Sequence, residues 1–253
     1  QADIVCATPE GASQLTMPKD ILLGLTRTIK SGDTLDLTEL AARLMELGYT
    51  RCDQIEGVSQ FSVRGAIFDV FPVNFGAPVR IEMWDDTVDS ISVFDIESQR
   101  RIDTIKSISI APAAEIIFDS PTAFSDRLSA FSAKIRGKNA EIVKKHIAGD
   151  IEKLENGVLP DSDRYLPLCY AEESTLFDYA LQIVICENTA CNESFKSALA
   201  QHNEDIKMLF EEGILCKGLD RYMLTKAEYS AAVEKKVRAY FDNFMCWARM
   251  RTL

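Results

Sequence analysis

The spacing of apolar residues along the 253-residue chain changes from helical to alternating and back, and those changes divide it. The chain opens on an apolar stretch, Asp3-Ile4-Val5-Cys6-Ala7-Thr8, which reads as a strand. A strand with no lead-in is expected of a piece of a longer protein. A short helix from Pro9 to about Leu15 and a strand-like Leu25–Lys30 follow, closed by the turn residues Ser31-Gly32-Asp33. Leu37, Leu40, Ala41, Leu44 and Leu47 then recur at helical spacing. Asp36 with Glu39 stands where a capping box opens such a helix, and Gly48 where it stops.

From Gln54 to Ile110 the pattern alternates. Phe61/Val63, Phe68/Val70, Val79/Ile81/Met83 and Ile91/Val93 mark short strands separated by Gly57, Pro72 to Pro78, Asp85-Asp86 and Ser98-Gln99. Strands this short and this close predict an antiparallel sheet. Beyond Pro112 the chain turns helical, at about Thr122–Arg136, Asn139–Glu155, Thr175–Tyr179, Glu193–Glu212 and Lys226–Lys235. The continuous apolar run Gln182–Cys186 reads as a strand buried on both faces. With a second strand at Val237–Phe244, it predicts a parallel α/β layer. The fold class is therefore α/β (α+β).

Composition narrows the function. Apolar residues at 47% and charged residues at 26% belong to a globular chain, which excludes wholesale disorder. The net charge of -11 is a poor footprint for gripping phosphate backbones. Neither part hides a basic domain: the first 110 residues hold 10 basic and 17 acidic side chains, the rest 18 and 22. Seven scattered cysteines without a CxxC read as incidental thiols of a reducing cytoplasm, not as a zinc or disulfide framework. The two histidines, His146 and His202, sit on polar helical stretches and are expected to face solvent. No GxxxxGK[ST] or GxGxxG occurs, and Asp85-Asp86 reads as a pair of solvated turn acids. A catalytic DNA-processing site built on carboxylates thus has little support.

One segment carries more information. In Val79-Arg80-Ile81-Glu82-Met83-Trp84 the pleat sends the aliphatic residues one way and Arg80, Glu82 and Trp84 the other. Arg64, by the same alternation, lies opposite Phe61 and Val63. Arginine and tryptophan are the residues most enriched at interface hot spots. Periodicity leaves two readings of Trp84 open: a docking anchor, or a cap on a minor core beside a weak surface ion pair.

The local sequence also resembles a known family. Leu47-Gly48-Tyr49-Thr50-Arg51, Gln60-Phe61-Ser62-Val63-Arg64-Gly65-Ala66-Ile67-Phe68-Asp69-Val70-Phe71-Pro72 and Pro78-Val79-Arg80-Ile81-Glu82 follow at familiar spacing. They continue into Asp85-Asp86-Thr87-Val88-Asp89-Ser90-Ile91 and Phe94-Asp95-Ile96-Glu97-Ser98-Gln99-Arg100. These stretches resemble the UvrB-homology region of the bacterial transcription-repair coupling factors, closely over residues 47–115 and more loosely over 116–253. The resemblance implies a UvrA-docking domain at residues 26–111. It implies a degenerate helicase-like α/β domain, lacking its N-terminal part, in residues 1–25 and 112–253. The family's docking surface carries over onto Arg51, Arg64, Arg80, Glu82 and Trp84, with Trp84 standing where a phenylalanine is usual and Ala66 where a second glycine is usual. The implied role is a non-catalytic, cytoplasmic adaptor without a cofactor in this fragment, ATP being used by a motor elsewhere in the full-length family. The implied partners are UvrA and, for the full-length protein, RNA polymerase and double-stranded DNA, with no membrane. The alternative is a UvrB-like damage-handling domain that touches DNA directly.

Overall fold

The computed structural model describes residues 4–118, 120–156, 158 and 163–241. The first elements are helix α1 (Pro9–Ser13), strand β1 (Leu15–Thr16), helix α2 (Lys19–Leu25), strand β2 (Arg27–Lys30) and helix α3 (Leu37–Glu46). Seven strands follow: β3 (Thr50–Arg51), β4 (Gln60–Arg64), β5 (Ile67–Val70), β6 (Val79–Trp84), β7 (Thr87–Phe94), β8 (Arg101–Ile105) and β9 (Ser107–Ile110). Next come α4 (Pro121–Ser132), α5 (Ala140–Glu155), a 3-10 turn (Asp163–Tyr165), α6 (Leu166–Cys169), β10 (Ser174–Thr175) and α7 (Leu176–Tyr179). The remaining described elements are β11 (Ile183–Cys186), α8 (Asn188–Glu211), α9 (Lys226–Lys236) and β12 (Val237–Phe241). Two compact units result: Asp20–Ile117, and the residues on either side of it.

In the Asp20–Ile117 unit, a six-stranded sheet runs in sequence order from β3 to β8, antiparallel except for the parallel β3–β4 pair. Its aliphatic side buries Phe61, Phe68, Val70, Val79, Ile81 and Ile91 completely, as the alternation predicts. Side chains of this size contribute about 1.5–3 kcal/mol each when taken fully out of water. Phe61 and Phe68 stack across β4 and β5 with centroids 5.5 Å apart. Helix α3 packs on β3 and β4 and buries Leu40, Ala41 and Leu44. Its start is fixed by Asp36, whose carboxylate accepts from the N–H groups of Thr38 (2.7 Å) and Glu39 (3.1 Å). Those bonds, the one from Glu39 foremost, hold the Asp36 carboxyl below the usual range.

Helix α3 ends at Gly48, which takes φ +89°. A Cβ there would lie 2.5 Å from the Ala114 Cβ and 2.8 Å from the Ala114 nitrogen. The approach is this close because the Leu47 carbonyl accepts from both Ala113 N–H (2.8 Å) and Ala114 N–H (3.1 Å). Strand β2 pairs antiparallel with β9, and helix α2, which the apolar pattern did not announce, precedes it.

The second unit has its own core. Leu15, Phe177, Ile185, Phe195, Met223, Leu224, Tyr229 and Val233 form one cluster, with Phe195 stacked on Tyr229 at 4.0 Å. Helices α4 and α5 pair through Phe124, Leu128, Val143 and Ile147. The buried Asp150 accepts from Tyr165 Oη at 2.7 Å and from Arg164. Burial works to raise the Asp150 carboxyl, but these donors hold it below the usual range. Strands β11 and β12 pair in parallel, as the strand–helix–strand pattern predicts.

Three expectations change. Of the expected strand Asp3–Thr8, residues 4–8 belong to no strand, and Asp3 lies outside the described residues. The Gln182–Cys186 run is covered on one side only: Ile185 is buried, whereas Val184 is 54% exposed. Ile185 joins the core cluster with Phe177, Phe195, Tyr229 and Val233, while the alternate residues Val184 and Cys186 point away from it and are exposed. His202 is half-buried with Tyr222 against its ring edge, and burial lowers its pKa; His146 is exposed as expected. The last residues of the expected Val237–Phe244 strand, and Cys246, lie outside the described residues.

Gly48→Ala must leave the left-handed region or displace Ala114, and is expected to destabilise the chain by about 2 kcal/mol in urea unfolding. Burial pushes the Cys169 thiol up to about 12, whereas Cys6 and Cys186 are exposed. Alkylation at pH 8 followed by peptide mapping should label Cys6 and Cys186 in the native protein, and Cys169 only after unfolding.

Candidate functional site

The polar side of the six-stranded sheet brings together residues far apart in sequence. Antiparallel register sets Ser62 opposite Asp69, Asp69 opposite Arg80, and Arg80 opposite Ser92, giving one polar row across β4 to β7. Opposed residues share a face. A second row sets Arg64 opposite Ile67, Ile67 opposite Glu82 and Glu82 opposite Ser90.

Asp69 sits at the centre, its side chain 2% exposed. Arg80 donates to it twice, Nε to Oδ1 at 2.7 Å and Nη2 to Oδ2 at 2.8 Å, the bidentate fork that a guanidinium and a carboxylate make best. Arg64 donates from Nη2 to Oδ2 at 2.5 Å. The Ser62 and Ser92 side chains on either side are buried, and their hydroxyls have no partner among the described residues. Their small size leaves room beside them for two guanidinium groups.

The Arg80 side chain is 17% exposed, so the face is not open around it. It lies over the Phe94 ring at 4.6 Å and donates through Nη2 to Gln99 Oε1 (3.2 Å) and through Nη1 to the Gln99 carbonyl (3.4 Å). Gln99 reaches it because the chain reverses between Asp95 and Arg100. Gln99 takes φ +58°, and its N–H donates to the Asp95 carbonyl at 2.8 Å. Asp95 also accepts from the Ser98 N–H and hydroxyl, which hold its carboxyl below the usual range. The bond to Asp69 holds the Arg80 guanidinium above its ordinary pKa.

Glu82 accepts from the Ser90 hydroxyl and from Arg101. Ser90 foremost, with Arg101 and Arg80, keeps its carboxyl below the usual range against the opposing effect of burial. Trp84, at the end of β6, is 79% exposed. Asp85 takes φ +56° in the tight turn that follows, as the Asp85-Asp86 pair predicts. Gly65, at φ +60°, makes the β4–β5 turn, and Ala66 has no positive φ that would need a glycine.

Of the five residues singled out from sequence, Arg64, Arg80, Glu82 and Trp84 share this side of the sheet. Arg51 stands apart: the parallel β3–β4 register sets it beside Phe61, in a row of the opposite face. It is exposed and makes no ion pair among the described residues. Sequence reasoning missed Asp69, Gln99 and Arg101. Asp69 was within reach, since it alternates with Phe68 and Val70 as Arg80 alternates with Val79 and Ile81. Gln99 and Arg101 arrive through a turn and a neighbouring strand, for which alternation gives no signal.

The arrangement is suited to recognition. It offers a half-exposed guanidinium, an exposed indole and an outer carboxylate on a rigid sheet. No group of three or more His, Cys, Asp or Glu side chains is placed to hold a metal ion among the described residues. No helix of those residues is long and apolar enough to cross a membrane.

Residues 28–116 match the UvrB interaction domain, and therefore include the whole β3–β9 region. The chain is 31% identical over 256 residues to the transcription-repair-coupling factor of Bacillus subtilis (strain 168), covering 97% of this chain and 22% of that protein. The Haemophilus influenzae factor is 35% identical over 153 residues, covering 60% of this chain and 13% of that protein. The factor of Staphylococcus epidermidis (strain ATCC 35984) is 28% identical over 246 residues, 92% of this chain and 21% of that protein. The chain thus spans about a fifth or less of the length of these relatives. The chain is thus similar over almost all of its length to the bacterial transcription-repair-coupling factors, with a match to the UvrB interaction domain over residues 28–116.

Proposed function

We propose that this chain is the UvrA-docking adaptor of a transcription-coupled nucleotide-excision-repair factor, and that the charged side of its β3–β8 sheet is the docking face. The observation that carries the reading is the gathering of Arg64, Arg80, Glu82 and Trp84 on one side of a sheet that matches the UvrB interaction domain. Trp84 is 79% exposed beside charged residues, so most of its ring is open to a partner. It is placed to bury its ring in a partner, with Arg64 meeting a partner carboxylate beside it. The residues outside 26–111 form, in this reading, the degenerate helicase-like domain, which the parallel β11–β12 pair joined through α8 and α9 supports. In the complete protein the adaptor brings UvrA to lesions where RNA polymerase has stalled on double-stranded DNA. ATP is consumed by a motor outside this chain, and the adaptor itself performs no catalysis.

Trp84 and Arg64 are the clean probes of this face. Arg80 is a poorer one, because its removal leaves buried Asp69 short of a bidentate partner. Calorimetric titration against UvrA is expected to give saturable binding that weakens as salt rises. Trp84→Ala should leave the fold intact by circular dichroism and cost about 2 kcal/mol of affinity. Binding by Trp84→Ala equal to that of the unsubstituted chain, or no binding by the unsubstituted chain at low salt, would refute the assignment.

A further inference from the structure

The buried Asp69–Arg80 pair is a cost that folding alone had no need to accept. Asp69 lies within an otherwise apolar strand, 2% exposed, and the Asp69–Arg80 pair as a whole stands where two apolar side chains would pack without needing a partner. The three hydrogen bonds of Asp69 all go to the two arginines of the docking face. Those arginines are not equivalent. Arg80 spends Nε, Nη1 and Nη2 on Asp69 and Gln99 and is mostly covered. Arg64 gives Asp69 one N–H from Nη2, and its side chain is 45% exposed. Its remaining N–H groups have no acceptor among the described residues. A free arginine side chain loses substantial rotamer entropy when a partner immobilises it. One already tethered at its tip loses less.

We infer that Asp69 is the positioning residue of the docking face: with Arg80 as its fixed counter-ion, it tethers Arg64 so that the unused edge of the Arg64 guanidinium is aimed at a carboxylate of the partner. This rests on the docking reading, and it divides the labour between the arginines. Arg64 meets the acidic partner, whereas Arg80 acts through Asp69. The geometry allows this because two hydrogen bonds to Arg80 leave Oδ2 able to accept a further N–H from Arg64.

The test is a double-mutant cycle read by titration against UvrA. Asp69→Asn is expected to weaken binding about tenfold, while Trp84→Ala costs the same factor with or without it. Arg64→Ala is expected to cost about tenfold in the unsubstituted chain and at most about threefold in the Asp69→Asn background. A purely structural role would instead diminish the Trp84 and Arg64 effects together. An Arg64→Ala effect of equal size in both backgrounds would overturn the inference while leaving the docking reading in place. If the unsubstituted chain fails to bind UvrA, the docking reading itself falls. Should Asp69→Asn fail to fold, 15N NMR of the arginine side chains in the unsubstituted chain decides. Rotation about the Nε–Cζ bond is expected to be hindered for Arg64 and Arg80 and fast for Arg51; fast rotation at Arg64 overturns the inference.

Discussion

A carboxylate held at the centre of a sheet has to be met by cations on the adjacent strands, and the polar side of β4 to β7 is arranged around that demand. Asp69 takes a bidentate fork from Arg80 on β6 and a single bond from Arg64 on β4. The neighbouring positions are serines, small enough to leave the guanidinium groups their space. Phe94 lies under Arg80, and the Asp95–Arg100 reversal closes over it through Gln99. Remove the carboxylate and two like charges face each other across β5, one of them mostly covered. The polar face is therefore one coupled unit. Its two arginines are fixed by the fold before any partner arrives.

That rigidity bears on recognition. An interface built from long, freely rotating side chains loses much of its interaction energy to ordering them. On this sheet the backbone register supplies the order. The aliphatic side supplies the support: Phe61, Phe68, Val79 and Ile81 fix the strands that carry Arg64, Asp69 and Arg80. Helix α3, pinned at one end by Asp36 and at the other by the Gly48–Ala114 approach, buries its stripe against β3 and β4. The second unit uses the same device for a different end. Buried Asp150 is satisfied by Tyr165 and Arg164 and joins α5 to the 3-10 turn. One buried acid organises a surface; the other fastens helices.

Much of this was legible beforehand, and the reasons are specific. Alternation placed Val79, Ile81 and Met83 inward and Arg80, Glu82 and Trp84 outward, because side chains on a pleated strand must alternate whatever the neighbours are. The helix from Leu37 to Leu47 was legible because its apolar stripe, its Asp36 cap and its Gly48 stop agree with one another. Asp69 was legible by the same rule and was missed, because two flanking core residues drew the reading to Phe68 and Val70. Arg51 was carried over by motif, and the register sets it on the other face. The Gln182–Cys186 run announced a strand correctly, but an apolar run cannot say whether both of its faces are covered.

The sequence by itself determined the strand and helix pattern, the face each β6 side chain takes and the kinship of residues 47–115 with a repair-factor family. These are local properties, set by period, caps and turn residues within a few positions. Tertiary structure alone decided which arginine meets which acid. Strands β4, β5 and β6 bring Arg64, Asp69 and Arg80 into contact through their mutual register, and the Asp95–Arg100 reversal delivers Gln99. Register depends on how the whole aliphatic side packs, because a slip of one residue would exchange the two faces. That is why the pairing of Asp69 with Arg64 and Arg80 could be seen only once the strands stood side by side.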